Sequence, residues 1–178
     1  SKETKGFTGT QCGLWLDHKQ KILPQRSREG QVEYFAKRGM SLLGFMLVRR
    51  ITKVVKGVER IGLTYNYFDV VVQDYSSQDH VQLLAIVEAI VKEIKIQFPE
   101  LTELMLGSDN ASCLASHDSI PYIFHMNTCL NSVKVTNWIY TEACTGKNRL
   151  NSHFSFVNLL LKSFTEDGND ILNENHVY

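Results

Sequence analysis

Long apolar runs, proline and closely spaced cysteines are all scarce in this sequence, and each shortage removes a class of protein. No apolar stretch approaches the ~20 residues of a membrane-spanning helix, and the opening Ser1-Lys2-Glu3-Thr4-Lys5 has no apolar core of a secretory signal, so a soluble chain with no membrane partner is expected. Prolines stand only at Pro24, Pro99 and Pro121, and no stretch is low in complexity, which argues against a long disordered tail. Cys12, Cys113, Cys129 and Cys144 contain no C-x-x-C pair and suit free thiols in a reducing compartment. An initiator methionine is missing too, so a fragment of a longer protein is expected.

Net charge is also absent, but only as an average. Residues 1–60 hold 13 Lys and Arg against 5 Asp and Glu, whereas residues 61–178 hold 6 against 14. A basic third of this kind either docks on the chain's own acidic part or meets nucleic-acid phosphates.

What is present is enough for one core: 178 residues, 43% of them hydrophobic. Residues 13–23 begin apolar and β-prone and stop at Pro24, which predicts a first strand with Asp17 near its middle. Residues 41–51 and 65–75 predict two further strands, with a turn at Gly57, and short links make the three antiparallel. Leu83, Val87, Ile90, Ile94 and Phe98 recur at helical spacing between a candidate N-cap, Asp79, and Pro99. Leu101 to Leu106 predicts a short fourth strand that gives way beside Asp109 to the small, polar Ser108-Asp109-Asn110-Ala111. Residues 112–131 read as helix or loop, 133–140 as a fifth strand, and Leu150, Phe154, Val157, Leu161 and Phe164 as the stripe of a closing helix that ends near Gly168. The order βββαβ(α)βα predicts an α/β fold with a mixed five-stranded sheet flanked by helices over residues 13–172, between an extension (1–12) and a tail (173–178). That order is compatible with an RNase H-like fold, among other mixed sheets.

An isolated carboxylate within a strand is costly to bury unless it is solvated or given a partner such as a metal ion, which singles out Asp17. Asp109 stands at the C-terminal end of a strand, where ligands of α/β sheets collect. Two strand carboxylates joined by a helix-borne third acid hold two divalent cations ~4 Å apart for in-line attack on a phosphodiester. The third acid is expected from the last helix, yet Lys147, Asn148, Arg149, Leu150, Asn151, Ser152 and His153 include none. Glu142 near the end of the fifth strand is the first candidate substitute, followed by Asp74, read as sharing the face of Phe68, Val70 and Val72.

Leu16-Asp17-His18-Lys19-Gln20-Lys21-Ile22-Leu23-Pro24, Lys37-Arg38-Gly39-Met40-Ser41, Ser76-Ser77-Gln78-Asp79, Ser108-Asp109-Asn110-Ala111 and Thr145-Gly146-Lys147 occur in the order in which similar motifs occur in metazoan zinc-finger proteins that carry a transposase/integrase-like RNase H domain. The chain resembles that family over roughly residues 13–172. The resemblance implies a transposon-related ancestor with acids at the positions of Asp17, Asp109 and Asn151, so the first two metal ligands are kept and the third is changed. The family's Trp-His pair is here Leu42-Leu43, and its residue matching Glu142 is acidic, so Glu142 does not read as compensation. Asparagine offers a hard cation one neutral carbonyl oxygen, which weakens binding; an asparagine introduced to silence the site would leave the same set.

Three other features have ordinary readings. Cys113-x-x-x-His117 and His125-x-x-x-Cys129 would suit zinc if both pairs lay on helix turns, but buried cysteine with surface histidine is commoner. Trp15, Trp138, Tyr65, Tyr67 and Tyr75 are expected in core or cross-strand pairs rather than as base-stacking platforms. Lys37, Arg38, Arg49, Arg50, Lys147 and Arg149 are candidate phosphate contacts, although a charged edge that blocks strand addition explains the pairs flanking the second strand equally well. The expectation is therefore a catalytically inactive, transposase-derived module of a larger nuclear protein. It would bind a protein partner or nucleic acid, with no cofactor and no evident small-molecule substrate. The alternative is an active nuclease or strand-transferase using Asp17, Asp109 and Glu142 with magnesium or manganese.

Overall fold

The computed structural model describes residues 8–18, 21–28, 30, 39–72, 80–109, 118–130, 133–141 and 149–177. Five strands, β1 (Gln11–His18), β2 (Ser41–Val55), β3 (Val58–Val72), β4 (Glu103–Asp109) and β5 (Lys134–Thr141), form one sheet in the order β3-β2-β1-β4-β5. β2 runs antiparallel to both β1 and β3, whereas β1 is parallel to β4 and β4 to β5, so the sheet is mixed. Helices α1 (His80–Gln97), α2 (Ser119–Cys129) and α3 (Arg149–Glu166) flank it. The chain is thus α/β, and its sheet is compatible with an RNase H-like fold.

β1 lies at the centre, and Cys12, Leu14 and Leu16 are buried on one side of it against Leu43, Phe45, Leu47, Leu104 and Leu106. Helix α1 covers that side through Leu83, Val87, Ile90, Val91 and Ile94, the stripe that the helical spacing forecast. Its C-terminus is held by the Lys95 ammonium, which donates to the Pro99 carbonyl at 2.8 Å and the Leu101 carbonyl at 3.0 Å. Helix α2 joins the same core through Met126, Tyr122 and Ile123.

Helix α3 covers the other side. Leu150 and Phe154 meet Leu42, Met46 and Val48 there, with Trp15, Tyr65, Val71, Val157 and Leu161 packed around them. Gly44 makes this seating possible: a methyl at that position would overlap the Phe154 ring and press on Leu150.

Several boundaries differ from the sequence expectation. β1 spans Gln11–His18, so Asp17 is its penultimate residue; the apolar Ile22 that prolonged the sequence signal instead makes an isolated bridge to Met40. β2 and β3 are 15 residues each and meet at Lys56-Gly57, both at positive φ (52° and 74°), the conformation of the tight hairpin turn whose twist matches the strands. Residues 58–64 were not expected in a strand, because Glu59, Arg60 and Gly62 interrupt their apolar alternation. β4 continues through Ser108 to Asp109, so these two belong to the strand rather than to a loop. Ile171, near the end of the expected domain, is fully buried and bridges Gln25, and Val177 beyond it packs on the α3-side core. Among the described residues no helix is long and apolar enough to cross a membrane.

Gly44→Ala is expected to destabilise the fold by ~1–3 kcal/mol through overpacking against Phe154, whereas Gly62→Ala, with open space around it, stays within ~0.5 kcal/mol. Urea unfolding of the two variants checks this; equal stability would disprove the close contact.

Candidate functional site

Asp17 and Asp109 come from neighbouring parallel strands. The register between β1 and β4 pairs Trp15 with Gly107, and two further residues along each strand set Asp17 level with Asp109 on the same face. That face is the one covered by α3, because Trp15 packs with Leu150 and Phe154. Gly107 leaves room for the Trp15 ring, which a methyl there would meet at 2.9 Å. The end of β4 is fastened to β5: Trp138 Nε1 donates to Ser108 Oγ at 2.9 Å and Thr141 Oγ1 donates to the Ser108 carbonyl at 3.1 Å. Asp109 is therefore held on two paired strands.

The electrostatics agree with this closeness. Burial and then the nearby charge of Asp109 push the Asp17 carboxyl up to about 6, against a smaller opposing effect from the hydrogen bond donated by the His18 backbone. Burial also pushes the His18 imidazole down, with Asp109 opposing, and its Nδ1 is buried with no hydrogen-bond partner among the described residues. The end of β1 thus brings a carboxylate whose charge is disfavoured by burial and by Asp109 beside an imidazole whose charge is disfavoured by burial.

Asn151 sits in the first turn of α3, one residue after Leu150, which touches the Gly44 position. Gly44 is the register partner of Asp17, so α3 begins over the same row of the sheet that carries the acids. Asn151 is exposed, and its carbonyl accepts a hydrogen bond from Ser155 Oγ at 3.0 Å. Among the described residues no group of three or more His, Cys, Asp or Glu is arranged to hold a metal ion.

The same row contains an acid that sequence reasoning missed. Asp69 on β3 pairs across Gly44 on β2, which in turn pairs with Asp17. Its Oδ2 lies 2.7 Å from His153 Nε2, whose ring stacks on Tyr67 at 4.3 Å, while Oδ1 is buried with no hydrogen-bond partner among the described residues. Phe154 stands over the intervening Gly44. The signal was there in the sequence: Asp69 alternates with Tyr67, which stacks on His153 of α3, and with Val71, which packs on the α3-side core. Asp74 was read on the face of Phe68 and Val70, but those two pack on the α1 side, away from Asp17. Asp74 itself, Asp79, Glu142, Cys113, His117, Cys144 and Tyr75 lie outside the described residues.

The basic candidates divide. Arg49 is engaged within the fold: its guanidinium lies 3.7 Å over the Phe98 ring, 3.4 Å from Glu100 and 3.2 Å from Asn66 Oδ1. Arg149 rests over Tyr65 at 4.2 Å and is otherwise exposed. Arg50 leads into the outer half of the β2–β3 hairpin. Lys37, Arg38 and Lys147 lie outside the described residues. Cys12 and Cys129 are free thiols, as expected; Cys129 shares α2 with His125. Trp15, Tyr65 and Trp138 are core or core-packed, in keeping with the ordinary reading of the aromatics.

Comparison with protein-family models, with curated proteins and with solved structures returned no match.

Because Asp17 is protonated more readily folded than unfolded, it binds protons in the native state between about pH 4 and 6 that the unfolded chain releases. Its burial therefore costs nothing below pH 4, and the cost grows as pH rises through 6. Asp17→Asn is expected to raise stability at pH 7 by on the order of 1 kcal/mol, the linkage value discounted for solvent screening, and to leave it unchanged near pH 4. Thermal melts of both chains across this range test the sign; a gain confined to low pH would refute it.

Proposed function

We propose that this chain is a transposase-derived RNase H-like module of a larger nuclear protein, kept for binding after its phosphodiester chemistry has lapsed. The observation that carries the reading is the acidic row itself: Asp17 and Asp109 side by side at the ends of parallel strands, with Asn151 in the helix that starts over the same row. The strand order and the mixture of parallel and antiparallel pairs support the ancestry. Two cations between attacking and leaving oxygens require enough anionic ligands to offset their charge. Asp17 and Asp109 would supply half of that set, and an asparagine carbonyl contributes no charge.

A second reading takes Glu142, the residue that follows Thr141 in the sequence; Thr141 is the register partner of Asp109. With Glu142 as third ligand the chain would be an active magnesium- or manganese-dependent nuclease or strand-transferase.

Cleavage of labelled single- and double-stranded DNA and RNA in magnesium or manganese separates the two. The expected result is no cleavage by the unmodified chain. Asn151→Asp is expected to restore cation binding, read as a rise of ~1–3 kcal/mol in stability on adding magnesium at a large excess over its dissociation constant, an effect absent from the unmodified chain. Cleavage by the unmodified chain that Asp109→Ala abolishes would overturn the reading in favour of the second.

A further inference from the structure

The β2–β3 hairpin is longer than the sheet it belongs to. The pairing of β1 with β2 ends at Cys12 and Arg49, whereas β2 and β3 stay paired to Val55 and Val58. Residues 50–63 thus form a two-stranded ribbon that extends ~17–20 Å past its last neighbour. It stands clear of the body: Val54 is 69% exposed, Val58 59% and Ile61 62%. A ribbon without a third strand needs β-branched cross-strand pairs to persist, and Val55 opposite Val58 and Thr52 opposite Ile61 supply them.

Its charge is lopsided. Arg50, Lys53, Lys56 and Arg60 face a single acid, Glu59, in a chain whose overall charge is zero. Lys53 and Arg60 are direct register partners and therefore project from the same face, while Glu59, paired with Val54, projects from the other. Among the described residues neither Lys53 nor Arg60 has an acidic partner. Like charges directly opposite one another destabilise a two-stranded pair. Edge protection alone does not call for such an arrangement, since scattered or alternating charges protect an edge as well. A repelling cation pair on an exposed ribbon is relieved by an anion that spans both strands.

We infer that residues 50–63 are a nucleic-acid-binding arm, with Lys53 and Arg60 contacting phosphates of a DNA duplex and the ribbon entering the major groove. A two-stranded ribbon fits that groove, which is ~12 Å wide in B-form DNA, whereas the deep, narrow major groove of duplex RNA does not admit it. The arm leaves the sheet at the end opposite the acids. Gly44, level with Asp17, is eleven residues along β2 from Val55, a span of ~35 Å, so this contact is separate from the acidic row. The inference rests on the binding part of the function proposed above and gives it a surface and a ligand class.

The test is the affinity of the full chain for a fluorescent DNA duplex across a salt series. Each phosphate contact contributes about 0.9 to the slope of log K against log salt, which is roughly tenfold in affinity at ~0.1 M salt. Lys53→Ala with Arg60→Ala is expected to lose on the order of a hundredfold and about 2 in slope, and Lys162→Ala, a cation paired with Glu166 on α3, to lose nothing. Lys53→Glu keeps a folding defect from passing for a lost contact. It replaces the repelling pair with an ion pair to Arg60, so the melting temperature is expected to hold or rise while DNA affinity falls. Affinity that survives in both arm variants, no salt-dependent binding by the unmodified chain, or binding to duplex RNA as tight as to DNA would each overturn the arm. The cleavage assay judges the loss of chemistry independently, so an arm that fails leaves that conclusion standing.

Discussion

The contact on which the rest of the structure depends is that of Phe154 and Leu150 with the bare backbone at Gly44. A helix laid over a sheet ordinarily stands off by the thickness of two layers of side chains, about 10 Å. Removing one Cβ lets an aromatic ring touch the strand itself and fixes where along the sheet α3 begins. Gly44 is level with Asp17 on one side and Asp69 on the other, so the same contact that closes the second core sets the first turn of α3 over the acidic row. Packing therefore sets which residues of α3 start over that row, Asn151 among them.

Substitution at that position has a physical direction. Asp17 is already held up to about 6 by burial and by Asp109, so a third carboxylate nearby would raise its proton affinity further unless cations were bound. Such a site is stable when loaded and strained when empty. On the proposed reading, asparagine in place of an acid removes one charge while keeping the shape, which would relax the empty site and weaken the loaded one. Where selection no longer maintains cation binding, the change is favoured by stability alone, the ordinary exchange between activity and stability at charged sites. The Asp69 and His153 pair obeys the same rule from the other side of Phe154: a half-buried carboxylate there is matched by an imidazole at 2.7 Å.

The sequence made the strand and helix order readable because each element carries a single periodicity. The stripe of α1 and that of α3 to Leu161 pack as their spacing implies. What escaped was whatever depends on partners. Residues 58–64 read poorly as strand, because a ribbon exposed on both faces has no buried side to enforce alternation. Ile22 prolonged the apparent first strand because a single bridge to Met40 buries it as thoroughly as a ladder would. Asp17 and Asp109 could be chosen as carboxylates at strand positions, whereas Asp69 became visible only once Gly44 tied three strands into one row. Arg49 reads as a candidate phosphate contact beside Arg50; its engagement with Phe98 and Glu100 is a tertiary fact with no local mark.

The two ends of the sheet differ in charge and in burial. At the C-terminal ends of β1 and β4 the carboxylates sit partly buried, where a low dielectric magnifies every charge and a single substitution changes what can bind. At the far end the cations of the hairpin stand in water, where each interaction is weak and screened by salt, and where affinity comes from number rather than geometry. A buried acidic site fails all at once when one ligand is lost. A solvated basic arm degrades gradually, one contact at a time. A chain carrying both would lose its chemistry long before its binding, and the arm's distance from the acids means that the loss at one end places no electrostatic demand on the other.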